Sequence, residues 1–263
     1  MTEESTTEEL RERFDAGSAL GTWVSIGHPM IVEAAARAEF DFVLVDTEHT
    51  EMSLETVAEL VRAAAAAPGS LGVIVRPAWN DPVRIKRILD LGVDGIMVPM
   101  IDTAEAAEEL VRATRYPPEG DRGLASGRAT GYGQRFLEYV ESDHRSLLTI
   151  AQIETPTGVE NAGDIARVEG IDALFVGPAD LSASLGVFGE WDAPELEEAM
   201  AEVIEAGEAL DTPVGTIAVR GADVGDHVER GFDYQIAGKD MTTLIEAGER
   251  IRETYETERE DRE

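Results

Sequence analysis

Eight short apolar runs, rich in β-branched residues and separated by helical stretches, constrain the fold of this chain more than any other feature. They are TWVSI (22–26), FVLVD (42–46), GVIVR (72–76), GIMVP (95–99), LTIAQI (148–153), ALFVG (173–177), PVGTIA (213–218) and DYQIA (233–237). Most are apolar throughout rather than alternating, which is the pattern of parallel strands covered on both faces. Between them lie LETVAELVRAAAA (54–66), DPVRIKRILDLG (81–92) and TAEAAEELVRAT (103–114), with apolar residues at helical spacing. Eight such units predict an α/β fold closed as a (β/α)8 TIM barrel. An open doubly wound sheet is the alternative, because periodicity does not report closure. Asp81-Pro82 reads as an N-cap followed by a proline at the first helical position, and Ser53 to Thr56 and Asp102 to Glu105 also resemble helix starts. One interval breaks the rhythm. Residues 116–143, YPPEGDRGLASGRATGYGQRFLEYVESD, form a long connection rich in Gly, Pro and Arg, and loops of that length usually serve function.

At 263 residues the chain suits one barrel domain spanning residues 1–263. Its formal net charge of −32 would repel nucleic acid and anionic membrane surfaces, which excludes both as partners. The acidic residues are spread along the chain, and only Lys86 and Lys239 represent lysine. That distribution suits a solvated surface adapted to high salt, where screening lengths shrink to a few Å. No apolar run approaches the roughly 18 residues needed to span a bilayer, and MTEESTTEELRERF is unlike a secretory or transit peptide. A cytoplasmic protein is expected. Cysteine is absent, so disulfides, thiolate metal sites and cysteine nucleophiles are excluded.

The chemistry concentrates at strand ends. Glu154 follows TIAQI and Asp180 follows ALFVGPA, so successive strands each deliver a carboxylate to the carboxyl-terminal mouth, where barrel active sites sit. Two hard oxygen ligands with the amide of Gln152 beside them suit a hydrated divalent metal; the competing reading makes both carboxylates helix caps. Asp46 and His49 stand together in VDTEHT, where a carboxylate-held histidine suits a general base, and Thr47 and Glu48 can line the same mouth. Arg76 ends GVIVR and requires an anion, either a substrate oxygen or a neighbouring acid. Arg122 and Arg128 in the long loop read the same way, with an ion pair favoured. His28, His144 and His227 fall in helical or flanking positions without a task. Lys86 lies within a helix, and Lys239 in IAGKD reads as a turn and helix start rather than a Schiff-base lysine. Neither a phosphate-binding loop nor a dinucleotide fingerprint occurs, so no organic cofactor is expected.

Taken together, FDFVLVDTEH, YPPEGDRG, AQIETPTGVEN and GIDALFVGPADLSASLG, in that order and spacing, resemble the HpcH/HpaI family of metal-dependent pyruvate aldolases. The likeness runs from Gly21 to Gly238. It implies a barrel of the phosphoenolpyruvate/pyruvate-domain type that cleaves a 4-hydroxy-2-oxo acid to pyruvate and an aldehyde. Glu154 and Asp180 would bind Mg²⁺, Mn²⁺ or Co²⁺, with Gln152 and the backbone around Gly177 and Ala179 holding pyruvate. Arg76 would steady the enolate oxygen, and His49, oriented by Asp46, would act as base. The resemblance also implies a trimer or hexamer, with a C-terminal helix of about 240–258 exchanged between subunits and neighbours closing the mouth. A CoA-ester lyase of the malyl- or citramalyl-CoA type, an oxaloacetate decarboxylase and a catalytically silent binding barrel are the competing readings. Lys239 departs from the family pattern, which has a small or apolar residue near the end of the last strand.

Overall fold

The computed structural model describes residues 6–141 and 143–260. Its strands are β1 (Leu20–Val24), β2 (Phe42–Asp46), β3 (Gly72–Arg76), β4 (Gly95–Val98), β5 (Leu148–Ile153), β6 (Ala173–Val176), β7 (Val214–Ala218) and β8 (Tyr234–Lys239). All pair in parallel in sequence order, and β8 returns to β1, which closes the barrel. Helix α1 (Thr6–Asp15) precedes β1. The outer helices are α2 (Pro29–Arg37), α3 (Leu54–Ala66), α4 (Pro82–Leu89), α5 (Ala104–Thr114), α6 (Phe136–Glu141), α7 (Pro156–Glu160), α8 (Ala162–Ala166), α9 (Pro178–Ser184), α10 (Pro194–Glu208), α11 (Asp223–Arg230) and α12 (Asp240–Glu260). No described helix is long and apolar enough to cross a membrane.

The caps explain why the helices start where they do. The Ser53 hydroxyl accepts from the Thr56 N–H, the Asp81 carboxylate from the Val83 N–H, and Thr103, one residue past Asp102, from the Ala106 N–H.

Side chains of alternate residues fill two apolar layers. Outward residues such as Val43, Val75 and Ala151 pack under the helices, while Phe42, Leu44, Ile74, Met97, Ile150, Phe175, Tyr234 and Ile236 fill the lumen. Leu10 and Phe14 of α1 plug the amino-terminal end of that lumen, with the Phe14 ring centred 5.5 Å from Phe42 and 4.5 Å from Tyr234.

A recurring device holds this end together. Asp41, Asp94, Asp172 and Asp233 each stand just before an even-numbered strand. Their carboxylates accept the backbone N–H of Leu20, Val73, Thr149 and Val214, near the start of each preceding odd strand, at 2.8–2.9 Å. The plug is latched to the same acids, through Arg13 on Asp41, Thr7 on Asp94 and Arg11 on Asp172.

The long connection lies at this end too, since it leads from α5 into β5. Arg122 is buried there, paired with Asp90 at 3.0 Å and stacked on Tyr116 and Tyr139, and Arg128 donates to the carbonyls of Leu91 and Gly92. These contacts bear out the ion-pair reading of Arg122. A helix-to-strand connection must return to the amino-terminal face, which places this long loop away from the mouth of its own barrel.

Candidate active site

The opposite end gathers the side chains singled out in the sequence. Glu154 directly follows β5 and is 3% exposed. One carboxylate oxygen accepts the Met100 N–H at 2.8 Å, and the other accepts from the Gln152 amide. Met100 offers that N–H because the chain turns there through a left-handed φ of 58°, a strained geometry for a non-glycine residue and a common one at functional sites. Asp180 sits in the first turn of α9, exposed to the mouth. Neither carboxylate is the cap of its helix: Thr155 caps α7, and Gly177 precedes α9 without a side-chain cap.

Burial, reinforced by the negative charges of Asp180 and Glu48, pushes the Glu154 carboxyl up to about 7 against the Met100 N–H. Glu48 is likewise raised by burial and by Asp46 and Asp180, although Arg76 and His49 oppose the shift. Carboxylates brought together in this way call for a cation. Among the described residues no group of three or more His, Cys, Asp or Glu has metal-holding geometry, so the protein offers a pair of acids. Two carboxylates with open positions suit a hydrated divalent ion. The cradle beside them is tight but polar. A Cβ on Gly177 would lie 2.8 Å from a Glu154 oxygen and 2.9 Å from the Gln152 amide nitrogen, and the buried Gln152 amide oxygen has no partner. Ala179, between Gly177 and Asp180, is exposed on the same rim.

Arg76 ends β3, 4% exposed, beside β2 in register with Asp46. Its Nε and Nη2 donate to the two Asp46 oxygens at 3.1 and 2.9 Å, its Nη1 faces Glu48 at 2.9 Å, and its plane lies 4.4 Å from the Trp23 ring centre. The fork and the stack fix the guanidinium from three sides. Burial alone would raise the Asp46 carboxyl, but Arg76 and the backbone N–H groups of Glu48 and His49 outweigh it and hold the group below its ordinary value.

One expected contact is absent. Asp46 does not reach the His49 imidazole; it binds the His49 backbone N–H, because the chain turns back over the strand end. The imidazole projects outward, 68% exposed, with its Nε2 3.7 Å from Glu48. Glu48 therefore joins Arg76 to His49, a role that sequence reasoning left as mere proximity to the mouth. Trp23 was also missed; its only signal is a position near the end of the first strand. His28 caps α2, while His144 and His227 pack against Tyr116 and Phe232 away from the mouth.

Comparison with known proteins follows the same outline. The family described as HpcH/HpaI aldolase/citrate lyase matches residues 19–247. A hydroxypyruvate/pyruvate aldolase of Delftia acidovorans is 40% identical over 229 residues, covering 86% of this chain and 84% of that protein. A 4-hydroxy-2-oxo-heptane-1,7-dioate aldolase of Shigella sonnei is 38% identical over 237 residues, 88% of each chain. Among solved structures, an HpcH/HpaI aldolase/citrate lyase family protein from Burkholderia cenocepacia superposes with a TM-score of 0.89 at 34% identity, covering 94% of this chain and 99% of that one.

Proposed function

Since this chain belongs to the HpcH/HpaI aldolase/citrate lyase family, we propose that it is a divalent metal-dependent aldolase cleaving a 4-hydroxy-2-oxo acid to pyruvate and an aldehyde. The observation that carries this reading is the meeting of Glu48, His49, Arg76, Glu154 and Asp180 beyond the carboxyl ends of β2, β3, β5 and β6. Glu154 and Asp180 hold the metal (Mg²⁺, Mn²⁺ or Co²⁺), which when bound acts as a Lewis acid toward the 2-oxo acid. Gln152 and the backbone at Gly177 and Ala179 line the pocket for the pyruvate half.

Cleavage removes the proton of the C4 hydroxyl, breaks the C3–C4 bond, releases the aldehyde and leaves the pyruvate enolate, which is then protonated at C3. His49 takes the hydroxyl proton, with Glu48 beside its ring. Asp46 occupies the Nε–Nη2 edge of Arg76, so the enolate oxygen meets the Nη1 side, which it shares with Glu48. A donor of that kind contributes about 10²–10³ in turnover.

The enzyme works in a salt-rich cytoplasm, a reading supported by the net charge of −32. It is a trimer or hexamer in which α12 packs on a neighbouring copy, supported by the absence of any buried residue along that 21-residue helix.

Proton–deuterium exchange at the pyruvate methyl, followed by NMR in D₂O with molar KCl, tests the enolate step without knowledge of the aldehyde. Exchange should require Mn²⁺ or Mg²⁺, cease with EDTA or in Asp180→Ala, and fall about 10²-fold or more in Arg76→Ala. Exchange that persists in Asp180→Ala would remove the metal site from the reading. Its absence with every metal would favour CoA-ester cleavage.

A further inference from the structure

The end of β8 contains an irregularity that the chemistry above does not use. Between β1 and β8 the register runs Gly21 to Ile236 and then Trp23 to Lys239, so two residues on β1 face three on β8. Gly238, at φ +77°, takes up the extra residue in a left-handed conformation suited to glycine, and its carbonyl accepts from the Thr22 hydroxyl at 3.1 Å. The consequence is one of parity. Tyr234 and Ile236 face the lumen, so regular alternation would turn Gly238 inward and Lys239 outward. The bulge reverses this. Lys239 becomes the register partner of Trp23, whose ring lies in the lumen against Arg76.

Lys239 is half-buried there, and among the described residues no carboxylate pairs with it. The adjacent acid is already engaged. Asp240 accepts the N–H groups of Ser25 and Ile26 at 2.8 and 2.7 Å and that of Met241 with its other oxygen. A half-buried cation without a counter-ion at a ligand-binding mouth is explained by a ligand that brings the anion.

We infer that Lys239 is a specificity residue that recognises a carboxylate on the aldehyde half of the substrate, so that acidic aldehydes are preferred to neutral ones. The inference rests on the aldolase reading and extends it to the acceptor. Asp46, Glu48, Glu154 and Asp180 outweigh Arg76 and the proposed divalent ion on the pyruvate side, and an acidic aldehyde approaching them needs a cation on its own side.

The test is the aldol addition of pyruvate, at one fixed KCl concentration, to two matched pairs of acceptors: glyoxylate against glycolaldehyde, and succinic semialdehyde against butanal. In Lys239→Met the ratio of kcat/KM for acidic over neutral acceptor should fall about 10- to 100-fold in at least one pair, as expected for loss of a charge-assisted contact. Lys239→Arg should keep most of the ratio, and equal melting temperatures check that both variants fold. An unchanged ratio in Lys239→Met would overturn the inference, as would a wild type that accepts only neutral aldehydes. A borohydride-stable pyruvate adduct on Lys239 would overturn it too, by making the residue a nucleophile. A wild type inert toward every aldehyde and without metal-dependent methyl exchange would overturn the aldolase reading as well.

Discussion

At the residue scale, the mouth is built from groups whose position follows from the strand they end. Glu154, Asp180, Arg76 and Asp46 are set by the barrel, so a strand assignment was enough to bring them together. Lateral partners were harder. Asp46 and His49 are close in sequence, yet Asp46 binds Arg76 on the next strand, because β2–β3 register places them side by side. Glu48 and Trp23 acquire roles only through such cross-strand contacts. His144 shows a different consequence of packing. Burial, then the charges of Arg115 and Arg145, push its imidazole down from 6.5 to about 4. The folded state thus refuses a proton that the unfolded chain accepts, and this contribution, fully present above about pH 6.5, is lost as pH falls toward 4. It amounts to at most ~3 kcal/mol. Between pH 7.5 and pH 5, the melting temperature of wild type should drop by more than that of His144→Phe. Parallel curves would show that the histidine titrates normally in the fold.

At the scale of elements, the apolar runs matched the strands closely, because a strand buried on both faces leaves a continuous signal. The runs at 42–46, 72–76 and 148–153 and the helix at 54–66 have the boundaries expected from sequence. β8 instead extends to Lys239, where the bulge lies, since nothing in IAGKD distinguishes a turn from an irregular strand. The aspartates before β2, β4, β6 and β8 were visible as FDF, VDG, IDA and FDY, but their common task appears only once the odd strands lie beside them. Helix α12 carries Met241, Leu244, Ile245, Ile251 and Tyr255 along one stripe, each at least 44% exposed. If a neighbouring copy covers that stripe, Leu244→Glu combined with Ile251→Glu should convert a trimer or hexamer to smaller species in sedimentation. A wild type that sediments as a monomer in molar KCl would leave the stripe without that explanation.

For the whole molecule, the sequence predicted eight units, and the pairing of β8 with β1 settles that they close. The net charge of −32 acts at the same scale. Like charges on a compact surface repel until salt shortens the screening length from about 10 Å at 0.1 M to about 3 Å at 1 M. The melting temperature should therefore climb steeply between 0.1 M and 2 M KCl, and a flat response would separate the acidic surface from stability. The stopper formed by α1 has a kinetic meaning as well. With the lumen packed by side chains and its amino-terminal end capped by Leu10 and Phe14, the carboxyl-terminal mouth is the route that substrate and both fragments share. On the proposed seating of pyruvate against buried Glu154, that fragment is expected to depart behind the aldehyde, an order set by depth below the mouth.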